Sequence, residues 1–168
     1  MKVLVAEDDA VACNIYRLAL EARGHHVTIT HDGRKCLEVY RQELENVESQ
    51  QDEPFGAVVL DYKMPEVNGL EVAKEILTLN KKQRIIFASS YVKEVLVDSV
   101  KHLQQIVELV QKPFEPKVLV DLVEDISTTK ELEEINKMVM VMDRNSPDSS
   151  QMDSLLEVLK RIQKVGLC

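Results

Sequence analysis

The chain has 168 residues, 21 basic and 29 acidic, for a net charge of −8. That balance argues against a general nucleic-acid binder, which needs lysine and arginine to neutralise phosphates, and no apolar stretch approaches the roughly 20 residues of a membrane helix. The length suits one domain of about 100–150 residues plus an appendage.

In chain order, the apolar run Val3-Leu4-Val5-Ala6 reads as a strand and ends on Glu7-Asp8-Asp9. Met1-Lys2 leads straight into it with no long apolar segment or cleavage site, so no signal peptide is expected and the cytoplasm is the expected location. A helix is expected over residues 10–23, with Val11, Ile15, Leu18 and Leu20 apolar and Gly24 as its stop. His26-Val27-Thr28-Ile29-Thr30 forms the next strand, and Asp32 is placed to cap a helix over 33–45. Residues 48–54 are polar and read as a loop. Ala57-Val58-Val59-Leu60 is a strand of unbroken apolar character that stops at Asp61; it precedes a helix over 69–79. Ile85-Ile86-Phe87-Ala88 stops at Ser89 and Ser90, and a weaker helix follows over 92–103. Ile106-Val107-Glu108-Leu109-Val110 stops before Lys112-Pro113, and a helix over 116–126 completes five βα units.

Continuous apolar strands alternating with helices imply a doubly wound parallel α/β sheet, covered on both faces. The alternation ceases after residue 126, so the expected organisation is a domain over 1–126 and a helical extension over 127–168. Thr128-x-x-Glu131 has the form of a capping box for a helix carrying Leu132, Ile135, Val139 and Met142. Asn145-Ser146-Pro147 is a break with Ser146 as the cap, and the last helix places Met152, Leu155, Leu156, Leu159 and Ile162 on one face and ends near Gly166. These two helices, with the apolar stripe 138–142, form an αα-hairpin that must pack in cis or on another chain. Lys160, Arg161 and Lys164 make a small basic patch suited to a helix C-terminus.

Ligands of doubly wound sheets gather at the carboxyl ends of the strands, and here those ends carry Glu7, Asp8, Asp61, Ser89 and Lys112. Carboxylates on adjacent strand ends repel unless a hard cation lies between them, which suits Mg²⁺ or Mn²⁺. An aspartate in such a place is also a nucleophile able to accept a phosphoryl group, with an ammonium and a hydroxyl to hold the transferred oxygens. Cys13, Cys36 and Cys168 are too dispersed for a disulfide framework or a zinc site, and the four histidines show no metal spacing.

Over residues 1–126 the pattern resembles the receiver domain of two-component response regulators. The carriers are Val3-Leu4-Val5-Ala6-Glu7-Asp8-Asp9, then Asp61-Tyr62-Lys63-Met64-Pro65-Glu66-Val67-Asn68-Gly69-Leu70, then Ser89, then Lys112-Pro113-Phe114. The resemblance implies a flavodoxin-like fold with five parallel strands in the order 2-1-3-4-5. It implies that Asp61 accepts the phosphoryl group with Lys112 and Ser89 assisting. Asp8, Asp61 and the backbone carbonyl of Lys63 would bind Mg²⁺ directly, Glu7 through water, and the Lys112–Pro113 peptide would be cis. The phosphodonor would be a sensor histidine kinase, a phosphotransfer protein or a small phosphodonor. The chain departs from the pattern at Ser89, where threonine is commoner, at Leu109, where an aromatic residue is usual, and at 100–105, which lacks a glycine-containing turn. Tyr91 and Tyr62 are the rings available to cover the site.

The reading is therefore a signalling protein, not an enzyme beyond slow loss of its own phosphoryl group. Its output would come through an unknown downstream protein, or a homodimer formed by the C-terminal helices or the fourth-helix face, since 127–168 holds only 6 basic residues against 7 acidic and suits no DNA-binding effector. The alternative is a receiver-like scaffold or binding module that does not switch. A phospho-aspartate hydrolase of the haloacid-dehalogenase type needs a second aspartate two residues after the nucleophile, where this chain has Lys63.

Overall fold

The computed structural model describes residues 1–47, 53–139, 148–163 and 166–167, apart from the side chains at 129, 130 and 138. Five strands form one parallel sheet in the order β2-β1-β3-β4-β5. They are β1 (Lys2–Ala6), β2 (His26–Thr30), β3 (Ala57–Asp61), β4 (Ile85–Ser89) and β5 (Glu108–Gln111). The helices are α1 (Ala10–Glu21), α2 (Gly33–Glu45), α3 (Gly69–Leu79), α4 (Val92–Asp98), α5 (Pro116–Glu124), α6 (Ser127–Val139) and α7 (Ser149–Gln163). Contacts group the chain into two compact units, 1–86 and 87–168.

In the first unit β1 lies between β2 and β3, with Val5 opposite Ile29 on one side and Val59 on the other. Every residue of β3 is buried, as is Val3 through Ala6, so the strands are covered on both faces and the unbroken apolar runs have their cause. Phe55 stacks on Tyr40 with ring centroids 6.1 Å apart, and the Tyr40 hydroxyl donates to Gln83 Oε1 at 3.0 Å, so both buried polar ends are satisfied. The apolar residues of α1 divide between its two faces. Cys13, Tyr16 and Leu20 are buried, whereas Val11, Ile15 and Leu18 are 69%, 41% and 60% exposed. Asp9 caps this helix, accepting from the N–H groups of Val11 and Ala12 at 2.7 and 2.9 Å. Asp32 caps α2 by accepting from Lys35 N–H at 2.7 Å. Gly24, at φ +82°, stops α1 in a left-handed conformation that glycine adopts without steric cost.

The second unit holds the remainder of β4, then α4, β5 and α5, and the C-terminal helices. The helix expected over 92–103 is regular only to Asp98; Ser99–Leu103 is a wide π-type turn, closed by Gln104 at φ +60°. This is the segment that lacks a glycine, and Gln104 takes the left-handed position instead. Ile106 and Val107 are buried but precede β5 rather than belonging to it. The capping box at Thr128 does not form. α6 begins at Ser127, Asp125 accepts from the Ser127 N–H at 3.0 Å, and Thr128 Oγ1 donates to Asp125 at 3.2 Å from inside the helix.

Asp148 caps α7, accepting from Ser150 N–H at 2.9 Å, and its own N–H donates to Gln151 Oε1 at 3.3 Å. α7 packs on α6 and on α4, burying Met152, Leu156 and Leu159, while Leu132 and Val139 of α6 are buried. Within this unit the two helices thus find a cis surface. The 145–147 break, the 140–142 part of the apolar stripe, Lys164 and most of the 48–54 loop lie outside the described residues. Among the described residues no helix is long and apolar enough to cross a membrane.

Candidate functional site

The parallel register of β1 and β3 pairs Ala6 with Leu60, so the residues that follow, Glu7 and Asp61, leave the sheet at the same level. Glu7 is anchored there by its N–H, which donates to the Thr30 carbonyl at 3.1 Å. One carboxylate oxygen each from Glu7, Asp8 and Asp61 lies within 4.8 Å of the others. Glu7 and Asp61 are buried, at 2% and 8% exposure, and Asp8 is exposed, so solvent reaches the cluster at Asp8. Asp9 takes no part, because its carboxylate caps α1.

Two like charges at that separation repel by about 3 kcal/mol at an effective dielectric of ~20, which a divalent cation reverses. The donor set is all oxygen, so the residues fit Mg²⁺ or Mn²⁺ and do not suit a soft metal. Cys13 Sγ donates to the Glu7 carbonyl at 3.1 Å and stays a neutral thiol: burial, then the Glu7 charge, pushes its pKa up to about 11. The thiol supports the loop and is no ligand at neutral pH.

The loop after Asp61 is fixed from both ends. Gly69 N–H donates to the Tyr62 carbonyl at 3.1 Å, and Asn68 caps α3 in a reciprocal capping box with Glu71, at 3.0 and 3.3 Å. Lys63 is exposed in the bend just after β3.

In the second unit, Ser89 is the buried last residue of β4, and Lys112 directly follows β5, half-buried. The Lys112 N–H donates to the Ser89 carbonyl at 2.9 Å, which sets the two residues side by side. Ser89 Oγ accepts from Tyr91 N–H at 2.9 Å, a role that leaves the hydroxyl proton to serve as a donor. Tyr91 itself is 46% exposed. The Lys112–Pro113 peptide is cis. Two contributors are absent from the sequence reading: Asn136 and Gln163, whose carboxamides bond the backbone of Ile106 and of Leu109. No periodicity marks such long-range pairs.

The family model described as the response regulator receiver domain matches residues 3–124. The chain is 28% identical over 123 residues to the response regulator receiver protein CpdR of Brucella abortus, covering 73% of this chain and 93% of that protein. It is also 28% identical over 125 residues to hybrid signal transduction histidine kinase I of Dictyostelium discoideum, where the match covers 73% of this chain and only 7% of the kinase. Among solved structures, the CheY-like receiver domain protein of Methanospirillum hungatei superposes with a TM-score of 0.62 at 21% identity, covering 80% of this chain and 97% of that one, which establishes the fold. The chain belongs to the response regulator receiver domain family, whose members are signalling proteins of two-component systems.

Proposed function

We propose that the chain is a phospho-accepting switch in which Asp61 is the nucleophile. The observation that carries this reading is the cluster of Glu7, Asp8 and Asp61 carboxylates, gathered within 4.8 Å at the open ends of β1 and β3. A bound Mg²⁺ would neutralise the cluster and polarise the phosphoryl oxygens of a donor. Asp8, Asp61 and the Lys63 carbonyl are the residues to hold it, with Glu7 acting through water. Asp61 Oδ attacks the donor phosphorus, the donor's leaving group departs with the bonding pair, and the product is an aspartyl phosphate. The Ser89 hydroxyl donates to one transferred oxygen and the Lys112 ammonium offsets the charge of another. The donor is a sensor histidine kinase or a phosphotransfer protein. Output through protein contacts rather than DNA fits residues 127–168, which have no excess of basic side chains. The protein works as a signalling component in the cytoplasm, with slow loss of its own phosphoryl group as its only turnover.

The test is chemical mapping. After incubation with acetyl phosphate and Mg²⁺, reduction with borohydride converts an aspartyl phosphate to homoserine, and tandem mass spectrometry locates it. Conversion at Asp61 alone supports the reading; conversion at Asp8 instead, or none at all, contradicts it.

A further inference from the structure

β5 is the edge strand of the sheet, and an edge strand presents backbone N–H and C=O groups that need partners. Here the C-terminal helices supply them. Gln163 Oε1 accepts from Leu109 N–H at 2.9 Å, and Gln163 Nε2 donates to the Leu109 carbonyl. Two residues on, along the same edge, the Gln111 N–H donates to the Gly166 carbonyl at 2.6 Å. Upstream, Asn136 repeats the arrangement: its Oδ1 accepts from Ile106 N–H at 2.6 Å and its Nδ2 donates to the Ile106 carbonyl at 3.1 Å. Gln163, bonded to both polar groups of Leu109, thus stands in for a neighbouring strand, while Asn136 does the same for the residue just ahead of β5.

Burial of Met152, Leu156 and Leu159 also holds α7 down, but apolar packing is non-directional and does not by itself fix the register of the helix along β5. Gln163 is fully buried, a costly place for a carboxamide unless both its ends are bonded, as they are here. What this clamp fixes is the strand that delivers Lys112. Gln111 immediately precedes Lys112 and is tied to Gly166, while Lys112 itself is tied on the opposite side to Ser89. Gly166 has φ +88°, and a Cβ on it would stand 3.1 Å from Gln163 Nε2 and 3.2 Å from the Leu109 carbonyl oxygen, so the close approach requires glycine.

We infer that Gln163 and Gly166 are positioning residues for Lys112, setting through β5 where its ammonium meets the transferred phosphoryl group. This rests on the reading of Lys112 given above, and makes the C-terminal helix part of the phosphorylation apparatus rather than an appendage. A misplacement of about 1 Å can cost on the order of 100-fold in rate, and partial loosening of one strand end is expected to cost on the order of tenfold.

The test is a double-mutant cycle on the full chain, with acetyl phosphate as donor, saturating Mg²⁺ and phosphorylation rate read by intact mass. Gln163→Ala is expected to slow the native chain about tenfold and to add nothing to the slower Lys112→Ala chain. Gln163→Glu keeps the bond from Leu109 N–H and loses the donated one, so it should fall between, and it carries the cycle should the alanine variant not fold. Met152→Ala loosens α7 at its other end without touching the clamp, and should leave the rate within about twofold of native. No slowing by Gln163→Ala, equal slowing in both backgrounds, or equal slowing by Met152→Ala overturns the inference alone. A native chain that takes up no phosphoryl group overturns the parent reading, and this inference with it.

Discussion

Gly69 lies directly against the backbone of Asp61: a Cβ added to Gly69 would stand 2.2 Å from the Asp61 carbonyl oxygen and 3.1 Å from Tyr62 Cα. Both neighbours are backbone, at the end of a fully buried strand, and neither can turn aside as a side chain would. Gly69→Ala should therefore displace the end of β3 and cost about 3 kcal/mol, the upper range for forced overpacking. Urea unfolding measures the loss. Mg²⁺ affinity, followed by calorimetry, should fall in the same variant, because the displaced residue is Asp61.

Asp8 is the exposed member of the acidic cluster, so its replacement should leave the core untouched. Asp8→Asn is expected to lower Mg²⁺ affinity by more than the ~10–100-fold that loss of an outer-shell partner costs, with the unfolding midpoint in EDTA unchanged or raised as like-charge repulsion is relieved. Asp9→Asn serves as the contrast, since Asp9 caps α1 and asparagine caps as well. Its Mg²⁺ affinity should remain near native.

Two buried thiols give the protein a defined alkaline weakness. Burial pushes Cys13 from the ordinary 9.0 up to about 11, and Cys36 up to about 12. A thiol is neutral when protonated, and the unfolded chain ionises first, near 9. Above that pH the unfolded state binds fewer protons than the folded one, so the contribution present below pH 9 is lost as pH rises through the folded values. The urea midpoint should fall from about pH 9 to 12, and a Cys13→Ala, Cys36→Ala double variant should show a flatter profile. A profile equally steep in the double variant would assign the effect elsewhere, with Tyr40, raised by burial to about 12, the next group to replace.

Gln104 occupies a left-handed backbone conformation at φ +60°, where a side chain is strained by roughly 1–2 kcal/mol. Its side chain is exposed, so nothing packed is lost on removal. Gln104→Gly should raise stability by about 0.5–1 kcal/mol, net of the extra unfolded-state entropy of glycine. Thermal unfolding checks the sign; a destabilised glycine variant would mean that the turn draws support from the Gln104 side chain.

The elements most legible in the sequence are those bounded by local chemistry. α2 runs Gly33–Glu45 because Asp32 caps it, and β2 and α3 also fall at their expected limits. The acidic cluster was legible because in-register parallel pairing of Ala6 with Leu60 brings two strand ends to one level. The buried face of α1 is not marked by its apolar residues alone, because Val11, Ile15 and Leu18 are exposed while Cys13 and Tyr16 share the buried side with Leu20. The start of α6 differs for another reason: Asp125, three residues before Thr128, accepts from the Ser127 N–H and from the Thr128 hydroxyl, so the helix begins one residue before Thr128. Asn136 bonds Ile106 just ahead of β5 and Gln163 bonds Leu109 within it, pairings between residues 30 and 54 positions apart and beyond the reach of any local signal.

On the function proposed above, Asp61 accepts a phosphoryl group with help from a divalent cation held beside it. The decisive measurement is intact mass after incubation with acetyl phosphate, comparing the native chain in Mg²⁺, the native chain in EDTA and the Asp61→Ala chain in Mg²⁺. A gain of one phosphoryl group is expected in the first sample and none in the other two. An equal gain in the Asp61→Ala chain, or no gain in the native chain under Mg²⁺, would contradict it.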